Sequence, residues 1–217
     1  MRPHRHFRRF FASPVRAQAL IRSIVFDIGW VLVHLNPRPI LGCLAEHDCD
    51  ERDLHALVSR IGLGDHECGR LTGHGLMEQV AALGRRPMHV DLAHAGWLNM
   101  FELQPRMVDL AHRLSDRYRV YLLSNVGDLH WAHLSREFAI HRIGHGALPS
   151  FVTGFMKPEP GIYAEAERRF DLDPRTTVFI DDRAENIKAA RSRGWQGIEH
   201  ADFHTTVAAL RALEVRA

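Results

Sequence analysis

Three short apolar runs constrain this chain most: Ser23–Phe26, Arg119–Ser124 and Thr177–Ile180, each ending on polar residues. Asp27 follows the first, Ser124 and Asn125 close the second, and Asp181 and Asp182 follow the third. Uninterrupted runs of this length suit strands buried on both faces. Helical patterns lie between and after them. Val108, Ala111 and Leu114 share one face of a helix from Met107 to Leu114. Pro160–Phe170 has proline just inside its start, and Glu185–Arg193 is stopped by Gly194. Ser150–Thr153 reads as a further short strand, Trp195–Glu199 as a last one, and Thr205–Leu213 as a closing helix. Strand–helix alternation implies a parallel, doubly wound α/β sheet, and such sheets bind ligands beyond the carboxyl ends of their strands. Acids and amides far apart in sequence therefore converge on one crevice.

Residues 40–100 break this alternation. Asn36-Pro-Arg-Pro39 interrupts the apolar character of Val31–Val33. After it, Leu54, Leu57, Val58 and Ile61, then Met77, Val80 and Leu83, recur at spacings of three to four residues. Glycines separate the pieces, and no strand pattern intervenes. The stretch reads as an all-helical insertion, which divides the chain into a core of 23–39 plus 101–217 and an inserted unit of 40–100.

Residues 1–22 are a basic leader. Six of the chain's arginines and no acid fall within residues 1–23, whereas residues 24–217 carry 22 basic against 26 acidic residues. Such a leader fits a nucleic-acid arm, a transit peptide, an export signal or a disordered tail. Arg16 and Gln18 interrupt the only apolar stretch an export signal would need, and a disordered tail is the expectation. No apolar run approaches the roughly 20 residues of a membrane span, so no membrane partner is expected. Cys43, Cys49 and Cys68 are too few and too oddly spaced for a disulfide framework or a zinc site, which fits a cytoplasmic protein.

Asp27 and Asp182, with Asp181 behind them, form the kind of oxygen donor set that Mg²⁺ takes together with a substrate phosphate. Lys157 can neutralise a phosphoryl group and hold Asp27 ionised. Ser124 and Asn125 can donate to phosphoryl oxygens. The set suits phosphoryl transfer through an aspartyl-phosphate, where positioning and charge do most of the work.

In order along the chain, IVFDIGWVL, LLSN, KPEPGIY and VFIDDRAENI resemble the four motifs of the haloacid dehalogenase-like hydrolases over roughly residues 23–200. The resemblance implies a Rossmann-like core with a small helical cap at 40–100. It implies Asp27 as nucleophile, Ser124 and Asn125 on the phosphate, and Lys157 as the cation. Mg²⁺ would be held by Asp27, the backbone carbonyl of Gly29 and Asp182, with Asp181 beside it. Asn186 stands where the fourth motif has its last acid. Glu67-Cys-Gly-Arg70 is similar to a cap segment that faces substrate, which makes Glu67 and Arg70 cap candidates. The implied partner is a small phosphorylated molecule and not a nucleic acid; oligomeric state is not legible.

The resemblance breaks at Gly29, where the family's phosphatases carry an aspartate that shuttles protons to and from the leaving group and water. One branch, which includes sugar-1-phosphate phosphatases, shares the Phe-Asp-x-Gly pattern, but it has Asn where this chain has Trp30. Three readings follow: a phosphatase with an easy leaving group or a substitute acid such as His34, a 2-haloacid dehalogenase, or a non-catalytic phospho-ligand module. The phosphatase is the expectation, because paired acids at 181–182 would repel a haloacid carboxylate and a binding module needs no nucleophile. The pairs His130/His133 and His141/His145 read as surface or loop residues, and Trp97, Trp131 and Trp195 as packing residues.

Overall fold

A computed structural model describes residues 20–50 and 53–217; most of the basic leader lies outside the described residues. The core sheet has five strands: β1 (Ser23–Phe26), β4 (Arg119–Ser124), β5 (Ala147–Pro149), β6 (Thr177–Asp181) and β7 (Gln196–Glu199). Their order is β5-β4-β1-β6-β7, and every pairing is parallel. Register explains the convergence at the carboxyl end. Phe26 is paired with Leu122 on one side and Ile180 on the other, so Asp27 emerges level with Leu123 and Asp181.

Both faces of the sheet are covered. Ile24, Phe26, Val120, Leu122, Val178 and Ile180 pack on one side, under α6 (Pro105–Ser115), α7 (Asp128–Phe138) and α10 (Phe203–Ala212). Val25, Tyr121, Leu123 and Phe179 pack on the other, under α8 (Pro160–Phe170) and α9 (Ala184–Ser192). Burial on both sides is why these strands carry continuous apolar runs. The architecture is the Rossmann-like α/β fold that the sequence implies.

Between Arg38 and Leu98 lie α1 (Arg38–Glu46), α2 (Leu54–Ser59), α3 (Leu63–Glu67), α4 (Gly73–Ala81) and α5 (Val90–Leu98). They enclose a separate apolar cluster containing Ile40, Leu44, Leu57, Leu76, Met77, Val80 and Trp97. Periodicity located these helices because each hides one stripe against its neighbours. An antiparallel pair joins this unit to the core: β2 (Val33–Leu35) against β3 (Phe101–Leu103). Neither three-residue strand has a periodic signature; cross-strand pairing forms them, reinforced by Asn36 Nδ2 donating to Glu102 Oε1 at 2.9 Å.

Ser150–Thr153 is not a strand. The edge strand is Ala147–Pro149, and Ser150–Val152 forms a 3₁₀ turn. Pro149 has no N–H for a ladder, and Ser150 is drawn into other bonds: its Oγ accepts from Val126 N at 2.9 Å and donates to the Glu67 carbonyl at 2.6 Å. No helix among the described residues is long and apolar enough to cross a membrane.

Candidate active site

Asp27 caps the central strand and is almost fully buried. Its Oδ1 accepts from Ile28 N at 2.7 Å and is ion-paired with Lys157 Nζ, also at 2.7 Å. The same ammonium donates to Asp181 Oδ2 at 2.7 Å, so one buried cation bridges the ends of two adjacent strands. Ser124 ends the strand on the other side of Asp27 and is itself buried.

Burial raises the Asp27 carboxyl to about 6; Lys157 opposes that rise and Asp181 adds to it. For Lys157, burial acts to lower the pKa, but the two carboxylates outweigh it and hold the ammonium above its ordinary range. Asp182 is raised by burial and by Asp181. Oxygens of Asp27, Asp181 and Asp182 lie within 4.8 Å of one another. Asp181 is already engaged, since Arg183 N donates to Oδ1 at 2.9 Å and Asn186 Nδ2 reaches both oxygens at 2.9 and 3.1 Å. Asn186 thus neutrally anchors Asp181. Asp182 makes no ion pair among the described residues. Carboxylates raised by mutual repulsion and burial are what a hard cation would relieve, so the donor set fits Mg²⁺ at Asp27 and Asp182.

Asn125 does more than face the crevice. Its Oδ1 accepts from Lys157 N at 2.8 Å and its Nδ2 donates to Lys157 O at 2.9 Å, clamping the backbone that carries the ammonium. One amide N–H is left for a substrate oxygen.

A cavity of about 570 Å³ lies between the core and the helices above it, lined by Asp27, Gly29, Ser124, Asn125, Lys157 and Asp182 at its polar end. Glu67 lines it from above, whereas Arg70 is exposed and paired with Asp65 at 2.8 Å, outside the lining. Its remaining wall is mostly apolar, with Val33, Leu35, Leu54, Val58, Leu63 and Phe101 among its side chains. His34 does not line the cavity; it meets Trp30 edge-on at 4.7 Å. A cavity wall was not legible in sequence, because it is assembled from β2, α2, α3, α5 and α7.

His130 corrects a sequence expectation. It is buried on α7, accepts from Trp97 Nε1 at 2.5 Å and packs against His66, so burial drives its pKa down to about 3. Its neighbour three residues on, His133, is partly buried. The helix itself carried no clear apolar stripe, which is why the histidine read as superficial. His141 is exposed, as expected, and Trp97 and Trp195 are packing residues.

A haloacid dehalogenase-like hydrolase model matches residues 21–194. The chain belongs to this family. It is therefore a hydrolase. A sesquiterpene phosphatase of Aspergillus oryzae, astK, is 22% identical over 194 residues, covering 88% of this chain and 96% of its own length. A haloacid dehalogenase-like enzyme of Bacteroides thetaiotaomicron, solved with magnesium and inorganic phosphate, superposes with a TM-score of 0.72 at 23% identity, covering 84% of this chain and 97% of its own. A family member from Porphyromonas gingivalis gives 0.73 at 24% identity, over 92% and 100% of the two chains.

Within this hydrolase, Trp30 follows the Gly29 gap in a left-handed conformation, with φ of 59°, and is 44% exposed. That backbone region costs a non-glycine residue about 1–2 kcal/mol, and less for asparagine. Trp30→Asn is expected to raise stability by about 1 kcal/mol, read as a higher urea midpoint at unchanged slope. An unchanged or lower midpoint would show that indole packing outweighs the strain.

Proposed function

We propose that this hydrolase is a Mg²⁺-dependent phosphatase that cleaves the phosphate ester of a largely apolar alcohol through an aspartyl-phosphate on Asp27. The observation that carries the reading is the Lys157 bridge, a buried ammonium 2.7 Å from both Asp27 and Asp181 at the polar end of the cavity. With Oδ1 held by Lys157 and Ile28 N, Oδ2 is the oxygen assigned to attack phosphorus. Ser124 and the remaining amide N–H of Asn125 would bind phosphoryl oxygens, and Lys157 would offset their charge. Mg²⁺, when bound by Asp27, Asp182 and the Gly29 carbonyl, would neutralise and align the phosphoryl group.

The apolar wall supports a hydrocarbon leaving alcohol over the sugar suggested by the Phe-Asp-x-Gly pattern. Each methylene buried there contributes about 0.8 kcal/mol, while sugar hydroxyls would face few partners. The Aspergillus relative's name points the same way. A dehalogenase reading is disfavoured by the three clustered carboxylates, which would repel a haloacid.

Phosphate release from prenyl, alkyl, sugar and 4-nitrophenyl phosphates, with Mg²⁺ and with EDTA, tests the proposal. Mg²⁺-dependent turnover that favours prenyl or alkyl over sugar phosphates is expected. Absence of turnover on every ester would overturn the phosphatase, and a sugar preference would overturn the apolar substrate class.

A further inference from the structure

We propose that Glu67, reaching down from the helical unit above the sheet, is the acid–base residue that position 29 lacks. The inference rests on the phosphatase reading. Gly29 leaves a gap: a Cβ built there would meet no atom within 4 Å, so no neighbouring core side chain has taken the vacated place. Glu67 ends α3 and lines the same cavity as Asp27, Lys157, Asp182 and Arg183.

Its backbone is pinned there. The Glu67 carbonyl accepts from Ser150 Oγ at 2.6 Å, and the same hydroxyl receives Val126 N, next to the Ser124–Asn125 pair. Two residues on, Gly69 sits so close to the Phe151 carbonyl that an added Cβ would lie 2.5 Å from it. These contacts fix α3 onto the loop that carries the phosphate donors. The Glu67 carboxyl itself makes no hydrogen bond or ion pair among the described residues, so it is not committed to a structural role.

The other proton carriers along the cavity fit the task less well. His130 is buried and its Nε2 is occupied by Trp97. Asp27 is the nucleophile, Lys157 is bound to two acids, and His55 is exposed on α2. The charged groups acting on Glu67 are Lys157, Asp27 and Arg183, and burial raises its carboxyl to about 8 against the pull of Lys157. A protonated carboxyl near neutral pH is what a general acid requires.

The steps balance as follows. Asp27 Oδ2 attacks phosphorus, the ester P–O bond breaks, and the Glu67 proton passes to the departing alkoxide to give the alcohol. A water then attacks the aspartyl-phosphate and gives one proton to the Glu67 carboxylate. The bond between Asp27 and phosphorus breaks, releasing hydrogen phosphate and restoring both side chains.

Glu67→Gln keeps shape and removes the proton, so leaving-group dependence is the readout. With Mg²⁺ present, single-turnover cleavage of an alkyl phosphate is expected to slow by about 10²–10⁴-fold. Release of 4-nitrophenolate, which needs no proton, should slow by less than about 10-fold in the same variant. Adding Gly29→Asp to Glu67→Gln should recover at least about 10-fold of the alkyl rate, a rescue that a purely structural role would not allow. Equal losses on both esters, or no loss on either, would overturn the assignment of Glu67. Turnover retained by Asp27→Asn would instead overturn the phosphatase reading beneath it.

Discussion

Asp27→Asn is expected to abolish turnover while leaving a folded protein. Removal of a covalent nucleophile lowers kcat on the order of 10⁴–10⁶-fold, because the remaining groups then act only by binding and charge. The fold should survive for a specific reason. Burial and the neighbouring Asp181 make the charged form of Asp27 costly, which is why its carboxyl is raised to about 6. A neutral amide of the same shape removes that cost, and Lys157 keeps its pair with Asp181. Without Mg²⁺, the variant should therefore unfold at a denaturant concentration equal to or above that of the parent chain. A folded variant with parental kcat would remove Asp27 from the mechanism. A lower unfolding midpoint would show that the Lys157–Asp27 contact stabilises more than burial costs.

Lys157→Met is expected to have the largest effect on stability. The side chain is fully buried, so its loss strands two acids, Asp27 and Asp181, with no cation and little water. Breaking a buried pair by removing one partner typically costs about 3–5 kcal/mol. The loss should depend on pH, and the sign follows from the stranded acids. Without the ammonium, which opposes the rise at Asp27, that carboxyl moves further above its unfolded value, so the folded variant binds more protons than the unfolded chain. Stability then falls as pH rises through that interval and recovers toward pH 5. Urea unfolding of both proteins between pH 5 and pH 8 measures this, with a gap that widens toward pH 8 as the expected result. A constant gap would mean that lost packing, not charge, explains the defect.

The two substitutions bear on the same cluster from opposite sides. One neutralises an acid that burial disfavours, and the other removes the cation that makes burial of both acids tolerable. Opposite signs for their effects on stability follow from the single bridging ammonium, and they separate its electrostatic role from simple side-chain packing.

Sequence alone determined the three central strands of the sheet and the polar residues carried at their ends. Ile24–Phe26, Val120–Leu123 and Val178–Ile180 are hidden on both faces, so their apolar runs needed no context to be recognised. Asp27 and Asp181 were legible for the complementary reason that acids ending such runs demand partners, and Lys157 through the KPEPGIY motif in its loop. Tertiary structure decided the rest. The β2–β3 pair exists only because residues 33–35 and 101–103 meet across the inserted helices, and an isolated three-residue segment has no pattern to read. The burial of His130 depends on Trp97 and His66, from helices far away in the chain. Asn125 faces the crevice as expected, but its clamp on Lys157 needs the loop after β5 to return beside β4. Glu67 was legible only as a cap candidate by resemblance, and docking of α3 through Ser150 gives it a half-buried place on the cavity that Asp27 also lines. Local pattern reports which side chains must be hidden; only the packed chain decides which of them meet.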